Sequence, residues 1–236
     1  FRSIRDGYAS VALAGGSDAP LSPICFEGYG AMGALSKGQG PEASRPFDTD
    51  RDGFVLSEGA CVLVLEEFRH AQDRGAVIYG EIAGYAGGAD AFHQTRPSAE
   101  GEATAMKRAL LNACIDASAL GFISTHATAT RIGDRIEAEA IRSAFGNDAS
   151  RIPVAAFKSS TGHMLAASGA FEAAVSLMVL RNQIIPPTLN LDSKDRECDL
   201  NVVTRVWEIT ADYAIVNSFG FGGVNAVLVI RRGGDR

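Results

Sequence analysis

Two histidines, a lysine and a glycine-rich turn are the residues in this chain whose types and spacing could do chemistry. Lys158-Ser159-Ser160-Thr161-Gly162-His163 is a polar stretch between a short apolar strand, Val154 to Phe157, and a run ending at Leu180. That run has small residues first and large ones later. It predicts a helix that starts close against other backbone and buries its later part, Val175, Leu177, Met178 and Leu180, on most sides. Lys158 and Glu172 are too far apart for a helical i,i+4 pair, so they meet only if the strand–loop–helix turn brings them together. A Lys and a His at the mouth of a buried helix, with a carboxylate to hold the Lys, would make a site of controlled charge. A structural histidine and a weak surface ion pair fit the same residues. The chemical reading rests on a second histidine in a similar setting. Phe122 to Thr125 reads as a strand that delivers His126 at its C-terminal end, before Gly133 and a helix from Arg135 to Phe145. Sites in α/β sheets form beyond the carboxyl ends of strands, so the two loops are expected to converge on one pocket. A third loop, Asn217 to Asn225, holds Gly220, Gly222 and Gly223. Such a turn exposes backbone N–H groups and suits an oxyanion site; a tight hairpin that needs positive φ is the other reading.

The elements that must position these groups follow an α/β pattern. Phe1 to Gly7 looks like the end of a helix closed by Gly7. With neither an initiator Met nor a signal peptide, the chain is expected to begin inside an element, as part of a longer protein. Ala9 to Ala14 predicts a strand ending at Gly15-Gly16, and Phe26 to Leu35 a helix. Ser36 to Leu56 predicts a long polar loop, a length that is usually functional, with Arg and Asp pairing inside it. A buried strand over Cys61 to Leu65, a helix over Glu66 to Arg74 stopped by Gly75, and a strand over Ile78 to Tyr85 follow. Gly87-Gly88 should open a loop with His93 and Pro97. Gly101 to Cys114 is amphipathic, with Ala105, Met106, Ala109, Leu110 and Ala113 on one side. Val202 to Ile209, Tyr213 to Val216 and Val224 to Ile230 predict the last strands.

Two motifs are decoys. Gly28-Tyr29-Gly30-Ala31-Met32-Gly33 matches the dinucleotide fingerprint, but that motif needs its first Gly directly after a strand. Here two prolines intervene, and the glycines are expected to allow close packing. Asp48, Asp50 and Asp52 start like a calcium loop, but Phe54-Val55-Leu56 replaces the rest of it. The chain has 236 residues, 46% apolar and 21% charged, with a net charge of -6. These values describe a soluble globular protein with a real core and no footprint for nucleic acid. No apolar run is long enough for a membrane span, and a cytoplasmic location is expected. Cys25, Cys61, Cys114 and Cys198 form no Cys-x-x-Cys pair; reduced packing thiols are the simplest reading, and no metal is expected.

His126-Ala127-Thr128-Ala129-Thr130 with Gly133-Asp134, then Lys158 to His163, then Asn217-Ser218-Phe219-Gly220-Phe221-Gly222-Gly223, closely resemble the motifs of the β-ketoacyl-ACP synthases, in the elongating type with two catalytic histidines. Ser44 to Asp48 and Arg51 to Val55 resemble that family's long loop. The resemblance implies a thiolase-like α/β fold of five layers, αβαβα. Residues 1–75 would end the first half and 76–236 would form the second. It places the family's nucleophilic Cys upstream of Phe1, so this chain is expected to be inactive alone. It implies that His126 and His163 donate hydrogen bonds to the malonyl thioester oxygen, with Lys158 paired to Glu172 to keep the His163 loop in register. It puts the Phe219 N–H in an oxyanion hole and its ring at a gate, with Gly220 and Phe221 beside the substrate. Thr128 and Thr130 match positions that contact a phosphopantetheine arm. That arm arrives on an acyl carrier protein, so no cofactor of the chain's own is implied. Malonyl-ACP and acyl-ACP would be the substrates and a homodimer the assembly. Ser124, Thr125, Ala127 and Val224 depart from the usual pattern, and Ala127 takes positive φ less easily than the family's Gly. A non-catalytic chain-length partner subunit and a thiolase are the competing readings. The first often loses site residues that are kept here; the second needs a Cys in the turn that reads Asn217 to Gly223.

Overall fold

A computed structural model describes residues 1–233. In chain order the elements are α1 (Arg2–Arg5), β1 (Val11–Asp18), α2 (Pro23–Ala31), β2 (Gly59–Glu66), α3 (Phe68–Asp73), β3 (Gly80–Ala89), α4 (Ala99–Ala113), β4 (Leu120–Ser124), α5 (Arg131–Phe145), β5 (Val154–Ala155), α6 (Lys158–Thr161), α7 (Ser168–Asn182), β6 (Ile184–Ile185), β7 (Trp207–Glu208), β8 (Tyr213–Gly220) and β9 (Val224–Arg232). The central sheet has five strands in the order β3-β9-β8-β4-β5. Its β5, β4 and β8 run parallel, and β9 and β3 add antiparallel.

Alternation along these strands builds a core on each face. Ile123, Ile215, Val227 and Val229 point to one side, where α4 and α5 pack with Met106, Leu110, Ile141 and Phe145. Phe122, Ala214, Val216 and Ile230 point to the other, toward Val179 and Leu180 of α7. Beyond α7 lies the two-stranded β1–β2 ribbon. The layers are therefore a helix pair, a mixed sheet, a helix and a second sheet. Gly16 permits the last contact: a Cβ there would run into the Ala166 carbonyl, just ahead of α7.

Several elements differ from the sequence expectation. β1 runs on through Gly15-Gly16 to Asp18, because its partner β2 continues to Gly59 and the ladder is not interrupted. β3 runs on through Gly87-Gly88 to Ala89 for the same reason, paired with β9 up to Val224. The β2 strand is not buried: Val62 and Val64 face outward beside Leu13 of β1. The α7 helix is covered on two sides only, so Met178 is exposed. Only Trp207–Glu208 of the expected 202–209 strand forms; Val202 makes an isolated bridge to Val154 instead. α5 starts at Arg131, earlier than expected, because Thr130 caps it by accepting from Gly133 N at 3.2 Å. Gly28 and Gly30 lie inside α2 rather than in a strand-to-helix turn, and a Cβ at either would meet nothing within 4 Å among the described residues. Cys114 is exposed at the left-handed end of α4 and is not a packing residue. Cys198 is buried, which pushes its thiol up to about 12.

The long loop is satisfied partly within itself, where Arg45 Nε stands 3.2 Å from Asp48 Oδ1, and partly from across the fold. Asp48 accepts from the backbone N–H groups of Asp50, Asp192 and Ser193, the last two across the fold. Arg51 is 2% exposed. Its Nη1 donates to Asp195 Oδ2 and to the Asp48 carbonyl, each at 2.7 Å, while its Nε and Nη2 donate to the Thr130 and Arg131 carbonyls. The loop thus also docks on the segments that follow β4 and β6.

Candidate active site

Each histidine is delivered by a strand end, but the local devices differ. After β4 the chain leaves the sheet at Thr125, whose N–H still donates to the Ala155 carbonyl. The next two N–H groups, of His126 and Ala127, both donate to the Glu137 carboxylate, at 2.9 and 2.8 Å. Asn217 of β8 donates to the same carboxylate at 3.0 Å. One turn earlier on α5, Asp134 accepts from Phe47 N and Ala129 N. Both of those residues sit at positive φ, 66° and 65°. Such backbone is uncommon outside Gly, and the buried carboxylate holds it in place. Ala127 itself has negative φ, so its methyl causes no strain there. Glu137 was not among the site residues expected from sequence. Its signal was a carboxyl at i, i+3 from Asp134, on the same face of α5 as Ala138, Ile141 and Phe145.

His163 comes from a tighter construction. The strand β5 ends after two residues because the chain turns helical at Phe157, and α6 closes at Gly162 with φ 68°. A Cβ at Gly162 would stand 2.9 Å from the Val55 carbonyl. His163 N donates to that same carbonyl at 2.7 Å, and Ser57 N donates to the His163 carbonyl at 3.1 Å. The long loop therefore pairs with His163 as a strand would.

The two rings meet edge to face with centroids 5.4 Å apart. They are the middle of a run of rings: Tyr29 against Phe54 at 5.4 Å, Phe54 against His163 at 5.3 Å, and His126 against Phe219 at 6.2 Å. Lys158 lies behind them, 2% exposed, with its ammonium 2.5 Å from Glu172 Oε1 and 3.4 Å from His126 Nδ1. An ammonium only donates, so His126 Nδ1 is the acceptor and the ring proton sits on Nε2. The Ser168 hydroxyl, 3.1 Å from His163 Nδ1, can impose the same tautomer. Burial and the Lys158 charge hold His126 well below the usual imidazole range; the same two causes bring His163 down to about 3. Both rings are neutral at pH 7 and each has one N–H to give. Burial pushes the Glu172 carboxyl up to about 7 against the pull of Lys158.

A cavity of about 800 Å³ opens in front of the rings. His126, His163, Thr128, Thr130, Phe219, Gly220 and Phe221 all line it; Lys158 and Glu172 do not. The structure thus brings seven of the nine expected site residues to one cavity and sets the other two behind it. Thr130 has a structural duty as well, since its hydroxyl caps α5 and lies 3.2 Å from that of Thr128. Phe219 and Gly220 end β8 and are paired with Asn225 and Val224 of β9, so the glycine turn is both a hairpin and a cavity wall. None of the four cysteines lines this cavity. Among the described residues no His, Cys, Asp and Glu cluster could hold a metal ion, and no helix is long and apolar enough to cross a membrane.

Comparison with known proteins gives one consistent result. Residues 1–71 match the model of the beta-ketoacyl synthase N-terminal domain, and residues 79–192 match that of the C-terminal domain. The chain is 44% identical over 236 residues to the 3-oxoacyl-[acyl-carrier-protein] synthase 2 of Coxiella burnetii, covering 98% of this chain and 57% of that protein. It therefore spans a little over half the length of that relative. Among solved structures it is similar, at TM-score 0.95 and 38% identity, to a type II polyketide ketosynthase held in complex with its acyl-carrier protein and bound to the hexaketide. That match covers 99% of this chain and 59% of the other. The ishigamide ketosynthase/chain length factor follows at TM-score 0.92 and 36% identity, over 98% and 56% of the two chains. The α/β architecture is thus the thiolase-like one of the ketosynthases.

Proposed function

Because the chain belongs to the β-ketoacyl synthase family, we propose that the protein containing it is a 3-oxoacyl-[acyl-carrier-protein] synthase. It would join an acyl thioester to malonyl-ACP with loss of CO₂ in fatty-acid or polyketide chain elongation. The observation that carries this reading is the pair of neutral imidazoles, 5.4 Å apart, on one cavity wall. Decarboxylation of a malonyl thioester leaves an enolate whose oxygen gains negative charge. The Nε2–H groups of His126 and His163 give that oxygen two donors in a water-poor site, near the Lys158 ammonium. Fixed donors of this kind stabilise developing charge without reorganisation. The enolate carbon then attacks the acyl thioester carbonyl; a C–C bond forms, the tetrahedral oxyanion collapses and a thiolate leaves. The Phe219 N–H, at the end of β8 beside His126, is the donor assigned to that oxyanion.

Thr128 and Thr130, at the cavity edge, are assigned to the phosphopantetheine arm, and Gly220 and Phe221 to the acyl thioester. The acyl carrier protein is the partner that delivers both substrates, and the intact protein is read as a homodimer. Residues 1–75 are assigned to the N-terminal half of the synthase and 76–236 to the C-terminal half. The acyl group must ride on a nucleophile other than the four cysteines here, none of which lines the cavity. The retention of both histidines and Lys158 favours the enzyme over a chain-length partner subunit.

In the intact protein, His163→Ala should lower kcat for acyl-ACP and malonyl-ACP by about 10² to 10³, the usual effect of losing one such donor. Near-normal condensation by that variant would remove His163 from the reaction. No condensation by the unaltered protein would favour the partner-subunit reading.

A further inference from the structure

Two buried carboxyls stand in the cavity wall behind His126, and the donors around them are divided unequally. Glu137 takes three, from His126 N, Ala127 N and Asn217 Nδ2. Glu102, in the first turn of α4, lines the same cavity and is as buried as Glu137, each 2% exposed. It receives none: its Oε2 is sealed from water and has no hydrogen-bond partner among the described residues. It belongs to the same face of α4 as Ala105, Met106 and Ala109, and Met106 touches the Asn217 amide that serves Glu137.

A carboxylate needs donors, and a buried one without them is strongly disfavoured; a neutral acid is not. The charged groups that face Glu102 are Glu137 from α5 and Asp90 from the loop after β3, both acidic. Neighbouring β8 and β9 offer the neutral Asn217, Ser218 and Asn225 at this wall, and Arg96, just ahead of α4, lines the same cavity. Two buried carboxyls that repel each other, only one of them supplied with donors, do not both ionise readily, and the one without donors keeps its proton.

We propose that Glu102 carries the one proton this pair shares, and that its neutrality leaves Glu137 charged to fix the backbone of His126 and Ala127. Glu102 is then a positioning residue for His126. Burial first, with Glu137 and Asp90 adding to it, pushes Glu102 up to about 10. The sign follows. An acid raised in the folded state stabilises fully below its unfolded value and loses that contribution as pH rises toward the folded one. Stability attributable to Glu102 should therefore drain away between about pH 5 and 10.

The location of the proton does not depend on the enzymatic reading; its catalytic consequence does. At about pH 8.5 the intact protein should show an infrared carboxylic-acid band that disappears in Glu102→Gln, since an ordinary carboxyl is ionised there. Its melting temperature should fall more steeply from pH 6 to 10 than that of Glu102→Gln. Glu102→Leu, which keeps the site uncharged, should flatten the same slope. If the protein condenses, the alkaline limb of kcat should move upward in Glu102→Gln. A missing band, or parallel melting curves in all three proteins, would overturn the proposal. A protein with the band and the slope that condenses nothing would keep this proposal and sink the enzymatic one.

Discussion

His126 and His163 present the same chemistry from opposite kinds of scaffold. His126 follows an interior strand of the sheet, and its backbone is fastened by a carboxylate eleven residues along the chain. His163 follows a two-residue strand at the sheet's edge, and its backbone is fastened by the loop around Val55, more than a hundred residues away. The first arrangement is local and electrostatic. The second is long-range, steric and built from backbone hydrogen bonds. Lys158 is common to both: it anchors α6 through Glu172 and touches the His126 ring.

That shared residue gives the largest expected effect. Lys158→Met leaves Glu172 buried without its counter-ion, which should cost about 3–5 kcal/mol in a denaturant melt. The double change Lys158→Met, Glu172→Leu should recover most of that loss, because an apolar pair of similar volume leaves no uncompensated charge. Equal stability of single and double variants would mean the pair is not coupled.

The two scaffolds can be broken separately. Glu137→Leu leaves three buried donors unmet and should destabilise by about 2–4 kcal/mol, while a neutral Glu137→Gln should cost less. Amide exchange should rise at His126 and Ala127 and stay slow at His163. Gly162→Ala should cost about 1–3 kcal/mol, through a strained positive φ and a contact with the Val55 carbonyl. Exchange should then rise at His163 and Ser57 but not at His126. If either change loosens both histidines alike, the site is one unit and the contrast fails.

The last expected effect is a pH dependence. His163 is held down to about 3, so the folded state binds fewer protons than the unfolded state between about pH 3 and 6.5. Its contribution is present above the unfolded value and lost as pH falls through that window. His163→Phe should therefore melt with a shallower acid slope than the unaltered protein; a steeper one would contradict the assignment.

The contrast also explains how much of the site was legible in the sequence. Both histidines follow short apolar strands, a local pattern, and their convergence follows from the α/β rule about strand ends. Glu137 is just as close to His126 but lay hidden among the apolar residues of α5, where a carboxyl reads as an exception until its donors are seen. The partners of Arg51 were assigned to its own loop, since Asp134 and Asp195 lie 83 and 144 residues on. The 202–209 strand failed because its neighbour β5 is only two residues long: Val202 makes one bridge to Val154, Val203 turns to the core, and only Trp207–Glu208 finds a partner, in β6.

Arg51 has a consequence for exchanging pieces among homologues. Its guanidinium is committed to Asp195 and to carbonyls at Thr130 and Arg131, so a chimera joined anywhere between residues 57 and 120 parts the cation from all of these recipients. Such a splice tests whether the donor of one parent still fits the acceptors of the other. Transplanting the 36–56 loop together with the 128–134 and 192–196 segments would preserve the match, whereas moving it alone would not.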